Sequence, residues 1–151
     1  MWKIKVYLDN CTYNRPFDDQ DDILIRLESE AKLYIQEQIR DKRIDLIWSS
    51  VNSFENNDNP SPEKRERILA WKDIAAQQCG INEAILKKAL ELESLNLRAK
   101  DALHIAAAIN SQCDCFITTD KKILNKKISG VAVVNPLDFV KEYLEWEAMP
   151  W

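Results

Sequence analysis

The chain has 151 residues, 46% of them apolar and 30% charged, with a formal charge of -4. That length and apolar share suit one domain around one core. The acidic balance argues against a uniformly basic nucleic-acid-binding domain and leaves a local patch or a bound cation to supply any positive field.

Two glycines, Gly80 and Gly130, cannot build a glycine-rich phosphate loop. The single histidine, His104, rules out His-rich zinc sites, and any histidine-dependent triad would have to run through it. No apolar run approaches the roughly 18 residues of a membrane span. The opening Met-Trp-Lys meets Asp9 before a signal-type apolar region develops, so a cytoplasmic location without membrane association is expected. Cys113 and Cys115 stand too close for the usual zinc pair, while Cys11 and Cys79 are isolated. In a reducing compartment all four read as small buried apolar residues.

β-rich runs alternate with longer helical ones, which favours an α/β domain with a parallel sheet. Lys3–Leu8 reads as the first strand. Asp22–Asp41 reads as a helix, with Leu24, Leu27, Ala31, Tyr34 and Ile35 at helical spacing. Arg43–Ser49 is the second strand, and a short helical stretch follows from Ser50 through Phe54 and Glu55. The run Glu55-Asn-Asn-Asp-Asn-Pro60 breaks it as a polar loop. Ser61 caps a helix with Pro62 at its first position, carrying Ile68, Trp71, Ile74 and Ala75 inward. Cys79–Ile81 is a candidate third strand. Asn82 caps a helix to about Leu95 with Ile85, Leu86, Ala89 and Leu90 facing in. Arg98–Ser111 is the next helix, Asp114–Thr118 and Val131–Val134 are strands, and Asn135-Pro136 opens a last helix through Tyr143. One domain over residues 1–146 is expected, with 147–151 as a tail.

Most of the acids have ordinary readings. Asp18, Asp19, Asp21 and Asp22 precede a helix, where its dipole favours negative charge. Glu28, Glu30, Glu91 and Glu93 read as solvated helix faces. Four others sit in less ordinary places. Asp9 and Asp120 each follow an apolar strand directly, and ligands of parallel α/β sheets bind beyond the carboxyl ends of strands. Asp101 opens a helix, AKDALHIAAAIN, that is apolar on almost every side, so its charge is costly unless paired. Glu55 follows the second strand by one helical turn. Carboxylates crowded together repel one another, which a cation relieves, and oxygen-only ligation suits Mg²⁺. Such acidic metal sites hydrolyse phosphodiesters without histidine, thiol or glycine loop.

At these residues the sequence resembles the PIN-domain nucleases, especially the VapC-type toxin ribonucleases of toxin–antitoxin pairs. The matching pieces are YLDN around Asp9, SSVNSFE ending at Glu55, KDALHIAAA from Lys100 and CFITTD ending at Asp120, and the likeness spans about residues 3 to 140. The resemblance implies a three-layer α/β/α sandwich around a parallel sheet of strand order 3-2-1-4-5. It implies Mg²⁺- or Mn²⁺-dependent RNA cleavage with Asp9, Glu55, Asp101 and Asp120 as metal ligands, an antitoxin partner and a homodimer. The small hydroxyl that the family places before its last acid would be Thr118 or Thr119. The family's opening Asp-x-Asn becomes Asp-x-Cys at Cys11, with Asn10 or Asn14 as substitutes, and Leu124 replaces a frequent phenylalanine.

The stretch from Thr12 to Gln20 is long and polar for the family and reads as a rim of the site, where Arg15 would meet phosphate or simply be solvated. His104 reads as a packed helix residue donating one hydrogen bond, with a general base as the sharper alternative. Lys121, Lys122, Lys126 and Lys127 would guide an RNA backbone or form a solvated turn. Trp48 reads as core. A catalytically silent PIN-like module that binds RNA or protein is the competing function. A phosphotransfer receiver fits poorly, because the acid after the first strand is single.

Overall fold

The structure, a computed structural model, describes residues 3–15 and 20–150. Pro16, Phe17, Asp18 and Asp19, and with them part of the polar rim and two of the expected dipole-favoured acids, lie outside the described residues. In chain order the elements are β1 (Ile4–Leu8), α1 (Asn10–Asn14), α2 (Ile23–Arg40), β2 (Ile44–Ser49), α3 (Ser50–Asn57) and α4 (Pro62–Ile74). Then come β3 (Gln77–Cys79), α5 (Glu83–Glu93), α6 (Ala99–Asn110), β4 (Cys115–Ile117), α7 (Lys121–Leu124), β5 (Ala132–Val134) and α8 (Pro136–Glu147). Among the described residues the strands form one all-parallel sheet of order β3-β2-β1-β4-β5. The fold is therefore the PIN-like three-layer α/β/α sandwich expected from the resemblance.

Strand alternation divides the core into two layers. Tyr7 pairs in register with Ile47 and Phe116, and this row faces α5 and α6. The alternate residues Ile4, Val6, Leu8, Leu46 and Trp48 face α2, α4 and α8. Period-2 alternation with both faces buried is what a central parallel strand requires. Helix starts follow local chemistry. Asp22 accepts the backbone N–H groups of Leu24 and Ile25. Ser49 and Asn52 form a reciprocal capping box, and Ser61, Asn82 and Asn135 cap their helices, two of them with proline at the first turn.

Several expectations are corrected. The third strand is Gln77–Cys79, not Cys79–Ile81; an edge strand needs only one partner, and three exposed or half-exposed residues suffice. Ile74, Leu86 and Leu90 are exposed rather than inward. The buried stripe of α5 is Ile85, Ala89 and Leu92, which packs on α6, so the second leucine row has no neighbour to cover it. The last helix continues past Tyr143 to Glu147, because Trp146 stacks on Tyr143 at 6.0 Å between centroids. Glu28 is buried rather than solvated, 3.1 Å from Arg15 Nε. Of the cysteines only Cys113 is fully buried, and all four are free. The short helices α1 and α7 have no apolar periodicity of their own; α7 is capped by the Asp120 side chain, whereas α1 follows Asp9 without a side-chain cap. No helix among the described residues is long and apolar enough to cross a membrane.

Candidate metal centre

Because every strand is parallel, the carboxyl ends of β1, β2 and β4 share one edge, and β1 lies between the other two. Asp9 leaves β1 at this edge as the residue before α1. Its N–H is held by the Ile117 carbonyl at 2.9 Å, which ties it to β4. Its carboxylate does not cap α1. Instead Oδ2 accepts the Thr118 hydroxyl at 2.8 Å and the Cys11 thiol at 3.3 Å. Oδ1 lies 3.9 Å from His104 Nε2. Burial pushes the Asp9 carboxyl above its ordinary range, against the pull of His104 and Thr118, and the Glu55 charge adds to the rise.

Glu55 comes to the same edge one and a half turns into α3. His104 Nε2 meets its Oε1 at 3.1 Å, the direction of the hydrogen bond being set by the imidazole tautomer. Burial alone would raise its carboxyl, but the hydrogen bond and charge of His104, with Lys100 and Arg98 beyond, bring it below the usual value. Asp9, Glu55 and His104 thus offer one ligand atom each, all within 4.8 Å of one another.

Asp101 and Asp120 form a second pair beside this trio. Asp101 is buried in the first turn of α6, where the helix dipole favours it. Arg98, three residues earlier, donates to Asp101 Oδ2 at 3.0 Å and stands 3.6 Å from Asp120 Oδ2. The guanidinium therefore spans two of the four expected acids, and its charge reaches Glu55 as well. Asp120 caps α7 through the Lys122 N–H. Its own N–H donates to Thr118 Oγ1, so Thr118 links Asp120 to Asp9.

The remaining expected residues divide. Thr118 is fully buried with its hydroxyl between Asp9 and the Asp120 N–H, while Thr119, also buried, contributes to the surroundings of Cys11. Asn14 lines a cleft with Glu55, Asn59 and Lys64, its side chain tied to the Asn10 carbonyl and to Asn59. Asn10 is buried, and its side chain exchanges hydrogen bonds with Asn52. Arg15 is engaged by Glu28 instead of standing free in a loop. Lys122 and Lys126 line a neighbouring cleft with Arg98 and Asp101. Trp48 is core, its Nε1 donating to Ser53 at 2.9 Å.

His104, Arg98 and Cys11 are the residues that sequence reasoning undervalued. His104 makes two hydrogen bonds, not one, and is wholly buried. A usable signal existed: Arg98, Asp101 and His104 recur every third residue and so share one helix face. Cys11, which departs from the Asp-x-Asn opening of the resemblance, donates to Asp9. Burial, with the Asp9 charge behind it, pushes its thiol up to about 12, so it acts as a neutral donor.

No protein-family model and no curated protein sequence matches the chain. Among solved structures it is similar to a chain in the crystal structure of VapBC2 from Rickettsia felis bound to a DNA fragment from their promoter. The TM-score is 0.55 and the identity 14%, over 87% of this chain and 98% of that one. At that identity the likeness concerns the fold.

Proposed function

We propose that this protein is a metal-dependent endoribonuclease of the PIN type, acting in the cytoplasm as the toxin of a toxin–antitoxin pair. The observation that carries the reading is the meeting of Asp9, Glu55 and His104 within 4.8 Å at the carboxyl edge of the sheet, with Asp101 and Asp120 bridged by Arg98 beside them. Carboxylates gathered at one edge, two of them buried and, among the described residues, only Arg98 and His104 ion-paired with them, form a donor set that suits a divalent cation. Asp9 and Glu55 would hold Mg²⁺ or Mn²⁺ directly, and Asp101 and Asp120 would do so directly or through water. A bound ion supplies water activation and charge neutralisation at the leaving oxygen.

The chain's own residues supply the rest. Thr118 and Cys11 orient the Asp9 carboxylate. Lys64, Lys122 and Lys126 border the flanking clefts and would draw an RNA backbone past the acids. The likeness to a VapBC2 chain supports an antitoxin partner, and an antitoxin covering this edge would silence it. A homodimer belongs to the same reading.

The test is cleavage of structured and single-stranded RNA in Mg²⁺ and in Mn²⁺ by wild type and by Asp9→Asn. Metal-dependent cleavage lost in the variant supports the reading. RNA binding without cleavage in either metal would replace it by a silent binding module.

A further inference from the structure

His104 lies at the floor of the centre, and its second nitrogen anchors a buried chain of side chains that leads away from the acids. Nδ1 meets the Tyr7 hydroxyl at 2.5 Å, and that hydroxyl meets Ser49 Oγ, also at 2.5 Å. Ser49 Oγ lies 3.3 Å from Asn52 Oδ1, and the Asn52 amide donates to the Leu8 carbonyl and to Asn10 Oδ1. His104, Tyr7, Ser49 and Asn52 are all essentially inaccessible to solvent. No water is needed to complete this network, and it holds the imidazole plane with Nε2 aimed between Asp9 and Glu55.

The chain of hydroxyls can run in either direction: the first is the one that Glu55 accepts without an ion, and the second needs a cation between Nε2 and the carboxylates. With the proton on Nε2, His104 donates to Glu55, Tyr7 donates to Nδ1, and Ser49 donates to Tyr7. With the proton on Nδ1, His104 donates to Tyr7, Tyr7 to Ser49, and Ser49 to Asn52 Oδ1. Both arrangements leave the ring neutral and every hydroxyl proton used. The second turns a lone pair on Nε2 toward Asp9 and Glu55, which is what a metal ligand requires. A metal-bound histidine generally donates its other ring N–H to an oxygen that fixes the tautomer, and Tyr7 is placed to be that oxygen.

We propose that His104 is the third donor of this centre, its Nε2 completing with Asp9 and Glu55 a nitrogen–oxygen set that selects a first-row transition ion over Mg²⁺. This rests on the metal-dependent reading above and adds an ion preference that four carboxylates would not produce. Mg²⁺ prefers oxygen and water, whereas imidazole raises affinity along the series from Mn²⁺ upward.

The test uses Mn²⁺ alone, on untagged protein, read by pulsed electron paramagnetic resonance for coupling to a nitrogen-14 nucleus. The chain contains one histidine, so an imidazole nitrogen bound to Mn²⁺ can only be that of His104. The expected result is one strongly coupled imidazole nitrogen in wild type and none in His104→Gln. Competition with Mg²⁺ should show a preference for Mn²⁺ that falls by about tenfold or more in the variant, the scale on which a lost ligand or its support acts. If the variant does not fold, the wild-type spectrum alone carries the test. Mn²⁺ bound without imidazole coupling overturns the proposal and leaves His104 as a positioning residue for Glu55, with the nuclease reading intact. No Mn²⁺ binding at all overturns both.

Discussion

Replacement of Asp9 by asparagine separates a metal ligand from a structural carboxylate. Asp9 is almost wholly buried, and its charge is disfavoured by burial and by Glu55. Asparagine keeps the shape and an oxygen to accept the Thr118 hydroxyl, and it removes the charge. The metal-free variant should therefore be at least as stable as wild type. With Mn²⁺ or Mg²⁺ at 100 times its dissociation constant, wild type should gain about 2.7 kcal/mol from binding to the native state. For a chain of this size each kcal/mol raises the melting temperature by roughly 2–4 °C, so a rise of about 5–11 °C is expected. The variant should show little of it. Differential scanning calorimetry with chelator, and then with metal, measures both effects. If Asp9→Asn lowers the melting temperature strongly in chelator, and metal moves neither protein, then Asp9 is a structural hydrogen-bonding residue and the centre loses its main ligand.

Three further outcomes are open to measurement. Arg98→Gln removes the mostly exposed cation that spans Asp101 and Asp120, so calorimetric titration should find divalent-metal affinity raised severalfold; unchanged or weaker affinity would mean that the guanidinium does not compete for the acids. Lys32 is buried on α2 over the Tyr13 ring, has no ion pair among the described residues, and is pushed down to about 7 by burial and by neighbouring Arg40. Its folded-state pKa lies below the unfolded one, so its cost is largest below pH 7 and fades as the unfolded chain loses its proton toward pH 10.5. Lys32→Met should thus stabilise by roughly 2–4 kcal/mol at pH 6 and far less near pH 10 by urea unfolding; a difference that does not vary with pH would refute this. Finally, the exposed apolar residues Leu86 and Leu90 on α5 and Ile23, Leu24 and Leu27 on α2 supply candidate contact area for a homodimer at micromolar concentration, and a one-chain mass by light scattering would count against it.

Much of the architecture was legible in one dimension because its causes are local. Strand and helix alternation, the caps at Ser61, Asn82 and Asn135, and the apolar helix around Ala106 are written in near-neighbour chemistry. Asp9 and Asp120 stood out because each ends an apolar run, and Asp101 because a charge opens a buried helix. Which leucines of α5 are covered was not legible, since Leu86 and Leu92 carry the same signal and only the position of α6 distinguishes them. The sequence places the edge strand two residues late, at Cys79–Ile81 instead of Gln77–Cys79, because its pairing with β2 relies on backbone groups that every residue possesses.

The amino-acid order was sufficient for the class of fold and for a set of candidate acids, because hydrophobic period, capping and strand-end placement are properties of short segments. The composition of the centre required the packed chain. His104 reaches Glu55 across 49 positions and Tyr7 across 97, and Thr118 reaches Asp9 across 109. Such contacts depend on which strands lie side by side and on the rotation of α6 over the sheet. Those are set by the burial of two whole faces at once, and no local signal encodes them.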